Sequence, residues 1–135
     1  MSQANVEIVV GALEAAPGNP EAFFSIFDES AEFDVSANVP DAGTYHGPEG
    51  VREFFRNWVG VFDDFGYDVE EVIDAGDSVI VSIHQWGTGR GSGARVDYRF
   101  WQAWTLRGGK VVLYKDFPER VRALEAVGLS EYRGR

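Results

Sequence analysis

Residues 91–117 read GSGARVDYRFWQAWTLRGGKVVLYKDF, and this stretch decides the fold. Two runs in it alternate aromatic or β-branched residues with polar ones, which is typical of β-strands with one buried face. Arg107-Gly108-Gly109 separates the runs and is short enough for a hairpin turn. The stretch therefore predicts two neighbouring antiparallel strands.

Further strands are predicted upstream of this hairpin. The segments YDVEEVIDAG (67–76) and DSVIVSIHQWGTG (77–89) have the same period of two, with short breaks at 75–77 and 89–93. A shorter strand is predicted at 31–37 (AEFDVSA), followed by a loop. Four strands in the carboxyl half therefore form a meander, and one lies earlier in the chain.

Four helices are predicted around these strands. The first ends before Pro17-Gly18, the second begins at Asn19-Pro20-Glu21, the third begins at Gly47-Pro48-Glu49, and the last runs from about residue 118 to 127. Apolar residues at helical spacing define the first three. They are Val6, Val9, Val10 and Leu13 for the first helix, Phe23, Phe24, Ile26 and Phe27 for the second, and Val51, Phe54, Phe55, Trp58, Val59 and Phe62 for the third.

Helices segregated from a mostly antiparallel sheet predict an α+β fold. With 135 residues and no internal boundary or repeat, the chain is expected to form one domain over residues 1–135. Its aromatic content of 14% supplies ample material for a core. The Gly-rich stretch 87–93 precedes a strand rather than a helix, so it is interpreted as a hairpin tip and not as a phosphate loop.

Charge and composition exclude several classes of function. The net charge of −10 should repel phosphate backbones, so nucleic acid is not expected as a partner. The chain has no cysteine, which excludes disulfides, zinc-thiolate sites and thiol nucleophiles, and its two histidines lack metal-ligand spacing. No metal and no cofactor are therefore expected.

The amino terminus reads MSQANVEIVVGALEAA, which has no basic segment before its apolar residues. It does not resemble a signal peptide. No run approaches the roughly 20 apolar residues that a membrane span needs. We expect a cytoplasmic protein that does not contact a membrane.

Strand periodicity sorts side chains into two faces of the sheet. Asp116 shares a face with Val112 and Tyr114 at the end of the last strand. The other residues that this period assigns to the same side of the sheet are Val79, Val81, Ile83 and Gln85 on one strand and Val96, Tyr98, Phe100, Gln102 and Trp104 on the next.

The element order is similar to that of the nuclear transport factor 2-like superfamily, in which a curved sheet and three to four helices enclose a conical hydrophobic pocket. Residues 91–117, followed by RALEAVGLSE (122–131), most resemble the SnoaL-like domains of that superfamily. The resemblance covers nearly the whole chain. It implies that the face carrying Asp116 lines the pocket, joined by Phe33, Val35, Phe54, Phe55 and Trp58.

The same resemblance implies which activities lack their residues here. Ketosteroid isomerases of this fold use a Tyr and two Asp side chains, and those positions correspond to Gly11, Val35 and Gln102. Limonene-type epoxide hydrolases need an Arg and an Asp on one strand, which correspond to Ile83 and Gln85. Both constellations are incomplete.

SnoaL-like polyketide cyclases rely mainly on one pocket Asp near the end of the last strand, and Asp116 occupies that position. The resemblance therefore implies a cyclase-, isomerase- or hydrolase-like activity on a small hydrophobic oxygenated molecule. Asp116 would be the acid/base and Tyr114 an auxiliary hydroxyl. The alternative is a module that binds a small ligand, or serves as a dimeric scaffold, without chemistry.

Each polar candidate also has a structural interpretation. Asp116 could be a solvated strand end, could pair with Lys115 or Arg120, or could cap the last helix. Gln85 and Gln102 could orient a ligand carbonyl or satisfy each other.

The two histidines are not expected in the pocket. His84 is out of phase with Ile83 and Gln85, so it should point to the opposite face. His46 lies in the loop before the third helix and is interpreted as a surface residue.

Trp86 and Trp101 alternate outward among charged residues, and exposed aromatic side chains on a sheet usually have a cover. We expect a homodimer through this outer face. The alternative is a surface ridge on a monomer.

Overall fold

The structure, a computed structural model, describes residues 3–39 and 43–129. Within these ranges the chain forms four helices and six strands. The helices are α1 (Gln3–Ala15), α2 (Pro20–Phe24), α3 (Gly47–Val59) and α4 (Arg120–Ala126), and the strands are β1 (Phe27–Asp34), β2 (Thr44–His46), β3 (Phe62–Ala75), β4 (Ser78–Gly89), β5 (Arg95–Arg107) and β6 (Lys110–Phe117).

All six strands belong to one curved sheet in the order β2-β1-β6-β5-β4-β3. The β3–β6 strands form an antiparallel meander, while β1 lies parallel to β6 and antiparallel to β2. The prediction of an α+β fold with a mostly antiparallel sheet is confirmed. Because β1 joins the sheet beside β6, Phe33 comes into register with Tyr114 and the two halves of the chain share one wall.

Apolar side chains pack on both faces of the sheet. The larger cluster lies between the inner face and helices α1, α2 and α3, and includes Phe23, Phe33 and Trp104. A smaller cluster on the outer face places Ala123 and Leu124 of α4 against the sheet. The inner face therefore carries the main core, and α4 covers part of the outer face.

Two aromatic residues that were assigned to helices belong to strands. Phe27 begins β1 and pairs with Val111 of β6, and Phe62 begins β3 after α3 has ended. Both rings nevertheless contact the residue four positions earlier: Phe27 lies 5.5 Å from Phe23 and Phe62 lies 5.3 Å from Trp58, measured between ring centroids. The spacing correctly indicated a contact, but the chain makes it across a turn rather than along a helix.

The first strand differs from its predicted bounds. It was expected at 31–37, whereas β1 ends at Asp34, whose carboxylate accepts hydrogen bonds from the backbone N–H and the hydroxyl of Ser36. This local turn competes with strand pairing and ends the strand. The predicted loop after it contains the three-residue strand β2.

The last helix ends where its glycine indicated. Gly128 has φ 83°, and the N–H of Leu129 reaches back to the carbonyl of Leu124. This left-handed residue closes α4 as glycine commonly does at a helix end. Across residues 3–39 and 43–129, no helix is long and apolar enough to cross a membrane.

Candidate functional site

A cavity of about 590 Å³ lies between the inner face of the sheet and helices α1, α2 and α3. Its size is within the range of small-molecule sites. Aromatic side chains account for about half of its lining residues. Among the described residues they are Phe23, Phe24, Phe33, Phe54, Phe55, Trp58, Phe65, Tyr67, Trp86, Tyr98, Phe100 and Tyr114. The wall is therefore apolar, with polar groups at a few positions.

Asp116 is one of those polar groups. It lies opposite Gln102 in the β5–β6 register, so both side chains point to the same face of the sheet. Only 6% of its surface is exposed, although it lines the cavity. Its carboxyl group is therefore desolvated but faces the space that a ligand would occupy.

Two neutral donors hold the carboxyl group of Asp116. The amide of Asn38 donates to Oδ1 at 3.0 Å, and the hydroxyl of Tyr114 donates to Oδ2 at 3.2 Å. Asn38 reaches this position from the turn after β1, where its backbone N–H and that of Val39 bond to the carbonyl of Val35. Each carboxyl oxygen thus has a protein hydrogen-bond partner, and within residues 3–39 and 43–129 no salt bridge to a cationic side chain neutralises the group.

Burial raises the pKa of Asp116 to about 7. The hydrogen bonds from Tyr114 and Asn38 oppose this shift because they stabilise the ionised form, and the negative charge of Asp34 adds to it. A carboxyl group with this pKa is present in both protonation states near neutral pH. It can therefore donate or accept a proton there.

Gln102 and Trp104 form a second hydrogen-bonded layer beside Asp116. The indole Nε1 of Trp104 donates to Oε1 of Gln102 at 3.0 Å, which fixes the orientation of the amide. Burial, followed by the charge of Asp116, raises the pKa of Tyr114 well above its usual value, while the amide of Gln102 lowers it. Tyr114 therefore stays protonated and acts as a donor to Asp116.

Gln85 and Tyr98 form a separate polar pair on the same wall. Nε2 of Gln85 donates to the Tyr98 hydroxyl at 2.8 Å, as expected for residues opposite each other in the β4–β5 register. Burial raises the pKa of Tyr98 to about 12, so its hydroxyl stays neutral. Gln85 pairs with Tyr98 and Gln102 with Trp104, so the two glutamines do not satisfy each other as one interpretation held.

Most of the residues assigned to the pocket from the sequence line the cavity. They are Phe33, Phe54, Phe55, Trp58, Ile83, Gln85, Tyr98, Phe100, Gln102, Tyr114 and Asp116.

Six residues expected on the pocket face are not among its lining residues: Val35, Val79, Val81, Val96, Trp104 and Val112. Val35 and Trp104 are buried behind the lining. Val35 sits in the turn after β1, and the ring of Trp104 is enclosed by Phe23, Phe27 and Tyr114. Trp104 therefore supports the wall through Gln102 rather than forming it.

Several lining residues were not identified from the sequence. Asn38 lies in a loop, where no periodicity indicates the direction of a side chain. Tyr67 was assigned to a strand but to neither face, and its hydroxyl bonds to the carbonyl of Leu13 in α1. Phe23 and Phe24 are identified from the sequence only as part of an apolar helix face, and helical spacing does not distinguish a cavity wall from a packed core.

The structural alternatives for Asp116 are answered by the neighbouring residues. It is not a solvated strand end, because its side chain is buried. Asp116 does not cap the last helix, because the N-cap residue of α4 is Glu119. The two cations considered as ion-pair partners interact with other carboxylates. Arg120 donates to Glu71 at 3.3 Å, and the charge of Lys115 helps to lower the pKa of Asp34.

His84 points away from the cavity, as its phase in the strand predicted. Its Nε2 lies 2.7 Å from Oδ1 of Asp97 on the outer face. His46 is exposed and precedes α3 as its N-cap residue. Across the described ranges, no group of three or more His, Cys, Asp or Glu side chains is arranged to hold a metal ion.

The outer face is covered more than the sequence indicated. Trp101 packs beside α4, and the guanidinium of Arg120 lies 5.6 Å from the centre of its ring. Trp86 is half-buried, and its indole lies against Gly66, where a β-carbon would approach within 2.7 Å. Gly66 therefore lets the indole reach the rim of the cavity.

A family model described as a SnoaL-like domain matches residues 12–114 of the chain. The comparison with curated proteins found no match.

Solved structures share the fold. A nuclear transport factor 2-like protein from Burkholderia thailandensis E264 is 28% identical, with a TM-score of 0.76 over 88% of this chain and 92% of that one. TerC, co-crystallized with polyporic acid, is 22% identical, with a TM-score of 0.74 over 93% and 98%. A protein from Jannaschia sp. CCS1 that is described as a SnoaL-like polyketide cyclase is 21% identical, with a TM-score of 0.75 over 94% of this chain and 95% of that one.

Proposed function

Because the chain belongs to the family of SnoaL-like domains, we propose that it takes a small hydrophobic oxygenated molecule into the cavity and acts on it by acid/base chemistry at Asp116. The observation that best supports this is the burial of that carboxyl group in an aromatic wall, where its pKa is raised to about 7. A proton donor or acceptor is most effective when its pKa lies near the working pH.

The two protonation states of Asp116 give it two roles. When protonated, it can donate a hydrogen bond or a proton to a ligand oxygen. When ionised, it can remove a proton from the ligand, and the donors Asn38 and Tyr114 then stabilise the negative charge. Tyr114 is thus an auxiliary hydroxyl that acts through Asp116.

The remaining polar groups would orient the ligand. Gln85 donates to the Tyr98 hydroxyl, which leaves the hydrogen of that hydroxyl for an acceptor such as a carbonyl oxygen. Gln102 lies opposite Asp116 and is held by Trp104. The aromatic wall would bury the rest of the molecule.

Similarity supports a reaction class but not a substrate. The fold is shared with proteins described as SnoaL-like polyketide cyclases, and the solved structure of TerC contains polyporic acid. We propose a cofactor-independent cyclase-, isomerase- or hydrolase-like reaction. The residues that correspond to the isomerase and epoxide hydrolase constellations, Gly11, Val35, Gln102, Ile83 and Gln85, do not supply those chemistries.

A substrate panel tests this proposal. Epoxides, ketosteroids and polyketide-like esters are assayed with the unmodified protein, with Asp116→Asn and with Asp77→Asn, which changes an exposed carboxylate in the β3–β4 turn. We expect turnover of at least one class, its loss in Asp116→Asn and its retention in Asp77→Asn. Turnover that survives Asp116→Asn would place the chemistry at another residue.

The alternative proposal is a binding module without chemistry. It is favoured by the lack of a basic or nucleophilic partner for Asp116. Among the described lining residues there is no histidine, lysine or serine, and the other lining carboxylate, Asp68, is exposed. Saturable binding of a panel compound, without any turnover by the unmodified protein, would support this alternative.

The outer face of the sheet is proposed to contact a second copy of the chain. Trp101 is half-buried beside α4, and Trp86 is half-buried beside His84. A dimer would cover the parts of both side chains that remain exposed. Sedimentation of the unmodified protein and of a Trp86→Ala variant tests this. A monomer at every concentration would contradict the proposal.

A further inference from the structure

Among the described residues, the cavity wall contains acidic side chains and no basic ones. Among the lining residues within 3–39 and 43–129 there is no lysine, arginine or histidine. Asp116 faces the cavity with its carboxyl group, and Asp34 is close enough to raise the pKa of that group. The whole chain carries a net charge of −10. An anionic ligand would therefore meet repulsion and no compensating cation.

We propose that the cavity binds an organic cation, a hydrophobic amine or quaternary ammonium compound, whose charged nitrogen lies among aromatic rings beside Asp116. This rests on the proposed function in that it takes the same cavity as the ligand site. It goes beyond that function by naming the charge of the ligand and the residue that serves as its counterion.

The aromatic rings next to Asp116 suit a cation. The faces of aromatic rings carry partial negative charge and attract ammonium groups, most strongly where water is excluded. Tyr114, which donates to Asp116, stacks on Phe33 with ring centres 4.3 Å apart, and Phe33 in turn contacts Phe54 and Phe55. The carboxyl group is thus connected directly to a continuous aromatic wall.

The protein already uses such contacts on the outside of this wall. The guanidinium of Arg52 lies 5.4 Å from the centre of the Phe24 ring, and Phe24 lines the cavity. Arg52 itself is held by Glu21 and Glu49. A cation paired with a carboxylate over this aromatic layer therefore has a precedent in the same molecule.

The counterion would be the ionised form of Asp116. Desolvating a cation is costly unless a carboxylate accompanies it, and Asp116 supplies one that is held by Asn38 and Tyr114. The other titratable groups around it are Tyr114 on the same strand, Tyr98 on β5 and Asp34 on β1, and Asp68 on β3 also lines the cavity. Both tyrosines stay neutral, so neither is a second anion that would compete with Asp116 for the cation.

Binding of a permanent cation should then expel the proton from Asp116. Affinity should rise as the pH increases through the pKa of that carboxyl group, because only the ionised form attracts the ligand. A neutral ligand of the same shape should show no such rise. This difference separates attraction by Asp116 from simple burial of apolar surface.

Phenyltrimethylammonium and tert-butylbenzene are matched probes, because they have nearly the same shape and differ in charge. Benzoate supplies an aromatic anion. Binding of the three compounds is measured by calorimetry at pH 6 and pH 8. At pH 8 we expect the cation to bind at least about tenfold more tightly than tert-butylbenzene, and benzoate to bind most weakly.

Variants identify the groups responsible. In Asp116→Asn the cation should lose its preference and its pH dependence, while binding of tert-butylbenzene is retained and shows that the cavity is intact. Trp58→Leu, which removes an aromatic ring from the wall, should weaken binding of the cation more than that of the neutral compound.

The outcomes distinguish the two proposals. If tert-butylbenzene or benzoate binds as tightly as the cation, the organic-cation inference is wrong while the ligand cavity stands. If no compound of any charge binds, here or in the substrate panel, the proposed function fails with it.

Discussion

Replacing Asp116 by asparagine should make the protein less sensitive to rising pH. In the folded protein burial raises the pKa of Asp116 to about 7, whereas the ordinary value is 3.8. Folding therefore favours the protonated form. Well below pH 3.8 this residue is neutral in both states and its burial is tolerated. As the pH rises toward 7 the unfolded state gains stability by ionising, and the free energy of unfolding decreases.

The size of this effect follows from the difference between the two pKa values. The difference is about three units, and each unit corresponds to 1.36 kcal/mol, so ionisation of Asp116 should cost about 4 kcal/mol of stability above pH 7. This is a large fraction of the 5–15 kcal/mol typical of a folded domain. Asparagine has nearly the same shape and does not ionise.

Urea unfolding of both proteins between pH 4 and pH 8 measures this difference. The free energy of unfolding of Asp116→Asn, minus that of the unmodified protein, should increase by about 4 kcal/mol from the lower to the upper pH. Subtraction removes the contributions of the other carboxylates. Asp77→Asn, at an exposed position, should show no comparable trend. A difference for Asp116→Asn that stays flat across the range would refute the raised pKa.

Three further substitutions test contacts in the cavity wall and at its rim. Tyr114→Phe removes the donor to Oδ2, so the pKa of the buried carboxyl should rise further, which NMR titration can measure. Gln102→Leu leaves Nε1 of Trp104 without its acceptor and should cost about 1–3 kcal/mol in the free energy of unfolding, with Gln102→Glu as the variant that retains an acceptor. Gly66→Ala would place a β-carbon 2.7 Å from the indole of Trp86, so tryptophan fluorescence should change and stability should decrease by about 1–3 kcal/mol.

The antiparallel meander was predictable because two signals in the sequence indicate it: a period of two in the strands and short turns between them. Alternation along β5 and β6 placed Gln102 and Asp116 on one face, and their direct pairing across the strands follows from a short turn at Gly108 and Gly109. The direction of His84 followed from the same alternation. Where strands are regular, side-chain direction is therefore set by sequence position alone.

The parts that could not be predicted depend on tertiary contacts. Phe27 and Phe62 have helical spacing from their ring partners, and only strand pairing shows that they lie beyond the helix ends. Asn38 reaches Asp116 from a turn, 78 positions away along the chain. Trp104 lies on the same face of the sheet as the cavity-lining residues but is buried behind them. Alternation along a strand indicates the face of a side chain and not whether it reaches the cavity.

The central claim is that Asp116 exchanges a proton near neutral pH inside a cavity. Labelling the aspartate side-chain carboxyl carbons with ¹³C and titrating the protein by NMR measures this most directly, with Asp116→Asn identifying the signal. The burial, the donors Asn38 and Tyr114 and the charge of Asp34 predict a midpoint of about 7. A midpoint close to the ordinary value of 3.8 would contradict the account.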